Sequence, residues 1–459
     1  MIRYPRLAIG TLPASDVQLP RNESLLTSAL LAWLTARGCS IQHFSSRCCH
    51  GCTRPAAISG QASRHLDTWL MTAELCRACF VRGFGSSDGA VIDGEFDAPA
   101  GQGTTLGGSF DTLCHWLDVP RLAVIDVDMV RHQGLPARPN ADGVLLENVH
   151  GSDDFSKWRQ AIQSAWGLRT YGGLGHLPAL RTALRNLTKN GTTPESVYAE
   201  LASAFDAYAD APGLEELAYR RDLNASAYAV EEPVEAVSFV RSNHVATHPG
   251  KSYRQPVIAV AYDDVFHGYF PEMLDMLEAL GAKVVDFSPL RDEQVPHDAD
   301  VVYLGCGNTP QHAAALAENF CLMNSLRQHL CLGKRIYADG GGLLYLAHFC
   351  ETSDGTRIPM AGILPVSGKA RPTSARPRAV EVTLAHDTWL GRSGTKLRGY
   401  VNDYWTIEPI DPLPGYLVEP EHRYDLVGRG LAVGSRLQLN FATQTDLLRG
   451  FVAPSRVLI

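Results

Sequence analysis

At 459 residues the chain is long for a single core, so two domains are the expectation. Hydrophobic residues at 45% and charged residues at 20% are ordinary for a globular protein, and a formal charge of −8 leaves no basic footprint for nucleic acid. No apolar run approaches a membrane span, and Met1 to Gly10 lack the apolar stretch of a signal peptide, so a cytoplasmic location is expected.

In chain order, Leu7-Ala8-Ile9 is a short apolar strand. A polar stretch follows, then leucines at helical spacing from Ser24 to Arg37, stopped by Gly38, with Asn22 or Ser24 expected as N-cap. A loop from Phe44 to Cys52 carries Cys48, Cys49, His50 and Cys52. Beyond Ser63-Arg64-His65-Leu66-Asp67-Thr68-Trp69-Leu70-Met71, a predicted helix holds Cys76 and Cys79. Ala90-Val91-Ile92-Asp93-Gly94, Leu122 to Asp128 and Gly143 to Asn148 read as buried strands, the first ending in a carboxylate placed either to cap a turn or to ligate magnesium. Short Val/Ile/Leu runs alternating with helices predict a parallel sheet covered on both faces.

A polar, proline-containing segment over 231–254 reads as a linker. The pattern then restarts with Pro256 to Asp264, a helix from Leu274 stopped by Gly281, and Ala299 to Gly307. Tyr337-Ala338-Asp339-Gly340-Gly341-Gly342-Leu343-Leu344-Tyr345-Leu346 is strand, glycine-rich turn and helix, the shape of a nucleophile elbow.

These motifs, in this order, resemble the cobyrinate a,c-diamide synthase family. Its elbow reads approximately Tyr-Ala-Glu-Cys-Gly-Gly-Leu-Met-Tyr-Leu, and Ser63 to Met71 resembles its Ser-Arg-Asn-Leu-Asp-Ser-Trp-Leu-Met. The resemblance runs from about Leu7 to Val452. It implies two doubly wound α/β domains: a P-loop-NTPase-like (dethiobiotin-synthetase-like) domain over 1–230 and a class I glutamine-amidotransferase-like domain over 255–459. It also implies a glutamine-hydrolysing amide ligase acting on tetrapyrrole carboxylates with ATP and Mg²⁺.

The chemistry departs from that pattern. Gly340 stands where the family has its cysteine, and Gln438 and Asn440 where it has two histidines. Amides hydrogen-bond but exchange no proton near neutral pH. The phosphate-binding Gly-Lys-Thr falls on Asn22-Glu23-Ser24, where Glu23 repels phosphate, so ATP and magnesium are not expected. Glu147 takes the place of an asparagine near the base, and Asp93 that of an acid at the Mg²⁺ site. Cys306 falls in the loop matching the oxyanion glycines, placed either to border the pocket as a substitute thiol or as a small buried residue of a tight turn, with no histidine set to activate it. In the family's Arg-Gly-His-Glu-Phe-His-Tyr-Ser stretch, an aromatic trio (Tyr400, Tyr404, Trp405) is placed either to stack a flat ligand or to pack against the neighbouring domain.

Cys49-x-x-Cys52 and Cys76-x-x-Cys79 have the spacing of a four-thiolate site for zinc or an iron–sulfur cluster. The alternative is that these thiols are structural, with His50 a spare polar residue of the loop. Eleven cysteines in a cytoplasmic chain are in any case expected as thiols or ligands rather than disulfides.

Three functions remain open on sequence alone. One is a non-catalytic relative that binds a tetrapyrrole-like small molecule, a protein partner or a second copy. Another is an amidating enzyme with an altered mechanism, and the third a zinc or iron–sulfur protein. Neither nucleic acid nor membrane is expected as a partner.

Overall fold

The computed structural model describes residues 4–13, 24–46, 53–98, 107–190, 195–221, 254–371, 377–401, 404–410, 417 and 426–453. They fall into two compact units, one built from 1–104 and 108–229, the other from 105–107 and 230–459. Cys48, Cys49, His50, Cys52, Asn22, Glu23 and the linker over 231–253 lie outside the described residues.

The first unit is a wholly parallel sheet of seven strands: β1 (Arg6–Thr11), β2 (Ile41–Ser45), β3 (Arg64–His65), β4 (Gly89–Glu95), β5 (Arg121–Asp126), β6 (Gly143–Val149) and β7 (Thr170–Gly175). Their order is β3-β2-β4-β1-β5-β6-β7, so the chain winds outward on one side of β1 and then crosses to the other. Helices α1 (Leu26–Ala36), α2 (Thr53–Ser59), α3 (Ala73–Phe84), α4 (Phe110–Trp116), α5 (Val127–Gln133), α6 (Ser152–Trp166), α7 (Pro178–Asn190), α8 (Glu195–Asp206) and α9 (Ala211–Ala218) connect and flank the strands.

Strand periodicity explains why both faces are covered. Leu122, Val124 and Leu145 point into one core with α1 and α8, while Ile125, Val144 and Leu146 point into a second with Ile162 and Trp166 of α6. A strand apolar on both faces requires two such layers.

Three local expectations are corrected. Helix α1 begins at Leu26 with Leu25 as N-cap, not Asn22 or Ser24, and no side chain of the cap closes it. Asp93 does not end its strand: Gly94 and Glu95 continue β4. The strand beginning at Arg121 stops at Asp126, whose carboxylate caps α5 by accepting from the amides of Asp128 (3.0 Å) and Met129 (3.4 Å).

The second unit has a central sheet in the order β10-β8-β11-β13-β21-β20. Its strands are β8 (Val257–Ala261), β9 (Phe266–Gly268), β10 (Lys283–Phe287), β11 (Val301–Leu304), β12 (Cys306–Gly307), β13 (Arg335–Asp339), β14 (Phe349–Glu351), β15 (Arg357–Pro359), β16 (Val366–Ala370), β17 (Arg378–Thr383), β18 (Lys396–Val401), β19 (Trp405–Pro409), β20 (Leu426–Arg429), β21 (Ala432–Ser435) and β22 (Leu437–Leu439). The sheet is parallel except for β20 on its edge. Small accessory sheets form from β12-β9, β15-β14-β16-β19 and β17-β18-β22.

Alternation again sorts the side chains. Val302, Leu304, Ile336 and Ala338 enter the main apolar core. Tyr303 and Tyr337 point the other way, into an aromatic layer with Phe441 and Phe451, at ring separations of 5.0–6.1 Å. Asp339, two residues beyond Tyr337, follows the same face and is fully buried.

The aromatic trio does not act as one surface. Tyr400 lies on β18 and Trp405 on β19, in different sheets, and both are buried; Trp405 belongs to the main core. Only Tyr404 is exposed.

Candidate functional site

In the second unit, β13 delivers the chain to Gly340, whose φ of 50° and ψ of −118° reverse it directly into a helix over Gly341–Leu346. Side chains rarely adopt such angles, and a strained turn of this kind is how a strand-to-helix elbow presents a residue. The turn is braced by the Gly340 amide donating to the Ser435 carbonyl (2.9 Å) and by Thr309 Oγ1 donating to the Gly341 carbonyl (2.8 Å). The Gly342 amide donates to the Gly305 carbonyl (3.0 Å). The elbow is intact in backbone.

Its nucleophile position is filled from the next strand. Cys306, on β12, is buried, and a Cβ built on Gly340 would overlap the Cys306 thiol. Beneath them lies Asp339, which accepts from the Tyr303 hydroxyl (2.9 Å) and from the thiol and backbone of Cys306. Burial outweighs these hydrogen bonds and pushes the Asp339 carboxyl up to about 7. Cys306 is thus both buried, as a small residue of a tight turn would be, and set with its thiol against the elbow itself.

Gln438 and Asn440 follow β21 beside this turn, both buried. The Gln438 amide approaches the Gly268 carbonyl (3.4 Å), and Gly268 pairs with Cys306 across β9 and β12. Asn440 accepts from the Ala442 amide (3.1 Å), capping a short 3₁₀ turn over Phe441–Thr443. Gln438 thus stands near the thiol without offering a base, and Asn440 serves the backbone. Of the predicted residues, Gly340, Cys306 and Gln438 gather at one place.

In the first unit, the predicted phosphate end of α1 holds a carboxylate of the protein itself. Glu147, inside β6, accepts from the Leu25 amide (2.8 Å) at the N-terminus of α1 and from Arg181 (2.6 Å) on α7. Helix N-termini favour anions because their first amides lack intrahelical partners; here Glu147 provides that anion. Burial raises the Glu147 carboxyl, and the Arg181 guanidinium opposes the rise. Arg181 also donates to Asn148 Oδ1 (3.2 Å), and Asn148 itself donates to Asp126 (3.0 Å). Ser24, the remaining described residue of the predicted loop, accepts from the Leu26 amide (3.2 Å).

Asp93 faces the buried His43 ring at 3.3 Å, and Ser63 holds the other ring nitrogen. Cys76 and Cys79 both point into the body of the first unit from α3; burial pushes the Cys76 thiol far up, and neighbouring Cys79 adds to the rise.

Sequence reasoning missed two features. Glu147 was placed by position but not as the anion on α1. A cluster of Asp128, His150 and His176 was not noticed, although each stands one or two residues beyond a buried strand. That placement, at the carboxyl edge of a parallel sheet, was the available signal.

An elbow at the carboxyl end of the central strand of a mostly parallel sheet defines the second unit as a class I glutamine-amidotransferase-like domain. The CobB/CobQ-like glutamine amidotransferase domain family matches residues 257–404. Across the whole chain, a cobyrinate a,c-diamide synthase of Dehalococcoides mccartyi strain CBDB1 is 26% identical over 482 aligned positions, covering 99% of both chains. One of Syntrophotalea carbinolica is 28% identical over 454, covering 93% of this chain and 94% of its own. One of Salmonella typhimurium is 25% identical over 422, covering 87% and 88%. Along nearly its whole length the chain is similar to cobyrinate a,c-diamide synthases. Among the described residues no helix is long and apolar enough to cross a membrane.

Proposed function

We propose that this chain is a cobyrinate a,c-diamide synthase-like protein that has given up glutamine hydrolysis and ATP-driven amidation and works by binding, with a tetrapyrrole-like small molecule as its ligand class. The observation that carries the reading is the Cys306 thiol packed onto Gly340. Family-type hydrolysis needs a nucleophile on the elbow, a base to deprotonate it and an oxyanion pocket. Here the elbow residue has no side chain, its space is taken, and the base positions are amides. Glu147 at the N-terminus of α1 supports the second half of the reading, because a bound carboxylate repels an incoming phosphate.

The test combines three measurements on the full chain: glutamate release from glutamine, calorimetry with Mg-ATP, and absorbance titration with cobyrinic acid. No glutamate release, no ATP heat and a saturable spectral shift with cobyrinic acid are expected. Glutamate release that disappears in Cys306→Ala would overturn the reading in favour of an amidotransferase whose nucleophile has moved to β12. Absence of any tetrapyrrole binding would overturn the ligand assignment.

A further inference from the structure

The carboxyl edge of the first sheet gathers three metal-ligating side chains from three successive strands. Asp128 lies on the first turn of α5, just after β5; His150 immediately follows β6; and His176 immediately follows β7. The parallel pairing of Val149 with Gly175 sets the two histidines side by side. Their rings stack at 4.9 Å with an interplanar angle of 18°. His150 Nε2 lies 2.9 Å from Asp128 Oδ1, and His176 Nδ1 lies 3.5 Å from Asp128 Oδ2. One ligand atom from each residue falls within 4.8 Å of the others.

From this geometry we infer a divalent transition-metal site with two imidazoles and one carboxylate as protein ligands. Ligand atoms around one such ion, each at about 2.0–2.2 Å, stand ~3–3.5 Å apart, so small side-chain rotations bring all three onto one ion. Nitrogen-rich ligand sets of this kind take zinc, cobalt, nickel or iron rather than magnesium or calcium. All three side chains are at least a third exposed, which leaves coordination positions for water or for a small anionic or carbonyl ligand.

The backbone around the site is fixed. Asp126 caps the turn that carries Asp128. The His150 amide donates to Asp154 (2.9 Å), which also pairs with Arg131, and the His176 amide donates to the Val149 carbonyl (3.0 Å). Arg131 stands 3.6 Å from Asp128 Oδ1 and competes with a cation for that oxygen. The site is independent of the predicted four-cysteine site, whose ligands would be sulfur.

The experiment titrates the metal-stripped full chain with Co²⁺ and, separately, Zn²⁺. Co²⁺ bound here gives visible ligand-field bands without the near-ultraviolet charge transfer that thiolates produce, so the two sites are separable in one spectrum. One equivalent of thiolate-free Co²⁺ is expected, with at least tenfold weaker binding in His150→Gln and in His176→Gln. Zn²⁺ should raise the melting temperature of the wild type by more than that of His150→Gln/His176→Gln, which keeps only the predicted cysteine site. The ligands being exposed, metal-free melting of that variant should match wild type, which separates lost ligation from lost folding. Thiolate bands alone, no bound Co²⁺, or binding unchanged in the double variant would overturn the assignment.

Discussion

The Cys306 thiol occupies the space that a side chain at Gly340 would need: a Cβ on residue 340 would overlap the sulfur. The elbow's backbone has kept the geometry of a nucleophile turn while a neighbouring strand fills the position that the nucleophile would need. A thiol restored to the elbow must therefore displace another one.

Gly340→Cys is accordingly expected to lower stability and to restore no glutaminase. Positive φ costs ~1–3 kcal/mol for a side-chain-bearing residue, and overpacking against Cys306 adds ~1–3 kcal/mol. Adding Cys306→Gly should recover the overpacking part in thermal melting while leaving glutamate release at background. Without a base, a thiol is only a few per cent ionised at neutral pH. Turnover should need a histidine at Gln438 as well, and substantial turnover by Gly340→Cys alone would reveal a base in another residue.

Beneath the elbow, Asp339 makes a prediction about pH. Its carboxyl is pushed up to about 7 from an ordinary 3.8 by burial, so between those values the folded state holds a proton that the unfolded state has released. Stability then falls as pH rises from about 4 to 7, and the loss is complete above the folded value. At 1.36 kcal/mol per unit the penalty is at most about 4 kcal/mol. Asp339→Asn, which can still accept from Tyr303, should melt higher than wild type at pH 8 and show little advantage at pH 4. An equal difference at both pH values would mean that ionisation of Asp339 is not the cause.

The fold was legible where pattern is local. Apolar runs at Leu7 and Val257, the helix stop at Gly281 and the glycines after Asp339 each signal their element within about ten residues. The sites were legible only in part, because their partners are distant in sequence. Glu147 meets Leu25 across 122 positions and Arg181 across 34, and no spacing rule links them. Asp93 was misplaced because a glycine after a carboxylate looks like a turn, whereas β4 continues through it to Glu95 in register with β1. Gly340 announced a missing nucleophile, but not that Cys306 had taken its space; that contact joins the turn after β13 to β12, which no local pattern links.

The thiols of α3 bear on the predicted zinc or iron–sulfur site. Metal analysis of protein purified without oxygen should show one equivalent of zinc or iron more in the wild type than in Cys76→Ser/Cys79→Ser. Because burial holds the Cys76 thiol protonated, metal entry requires loss of that proton and should release protons into weakly buffered solution. Metal-free wild-type protein would leave Cys76 and Cys79 as core residues of the helix.

The last prediction concerns Glu147 and Arg181, joined at 2.6 Å with side chains only 5% and 7% exposed. Removing one member of a buried pair leaves the other uncompensated, at a typical cost of ~3–5 kcal/mol. Glu147→Gln keeps an acceptor for the Leu25 amide but removes the negative charge facing the guanidinium; Arg181→Met removes the positive charge facing the carboxylate, which burial already drives towards protonation. Each single variant should melt well below wild type. Glu147→Gln/Arg181→Met should recover much of the loss, since neither charge is then buried alone, and the cycle should show strong coupling. The same variants test the nucleotide reading: even with the carboxylate neutralised, Glu147→Gln should show no calorimetric heat with Mg-ATP, because the sequence places a glutamate, Glu23, where a phosphate lysine would be needed. If Glu147→Gln gains ATP affinity, Glu147 is the gatekeeper of a phosphate site that is otherwise competent, and the first domain is blocked rather than degenerate.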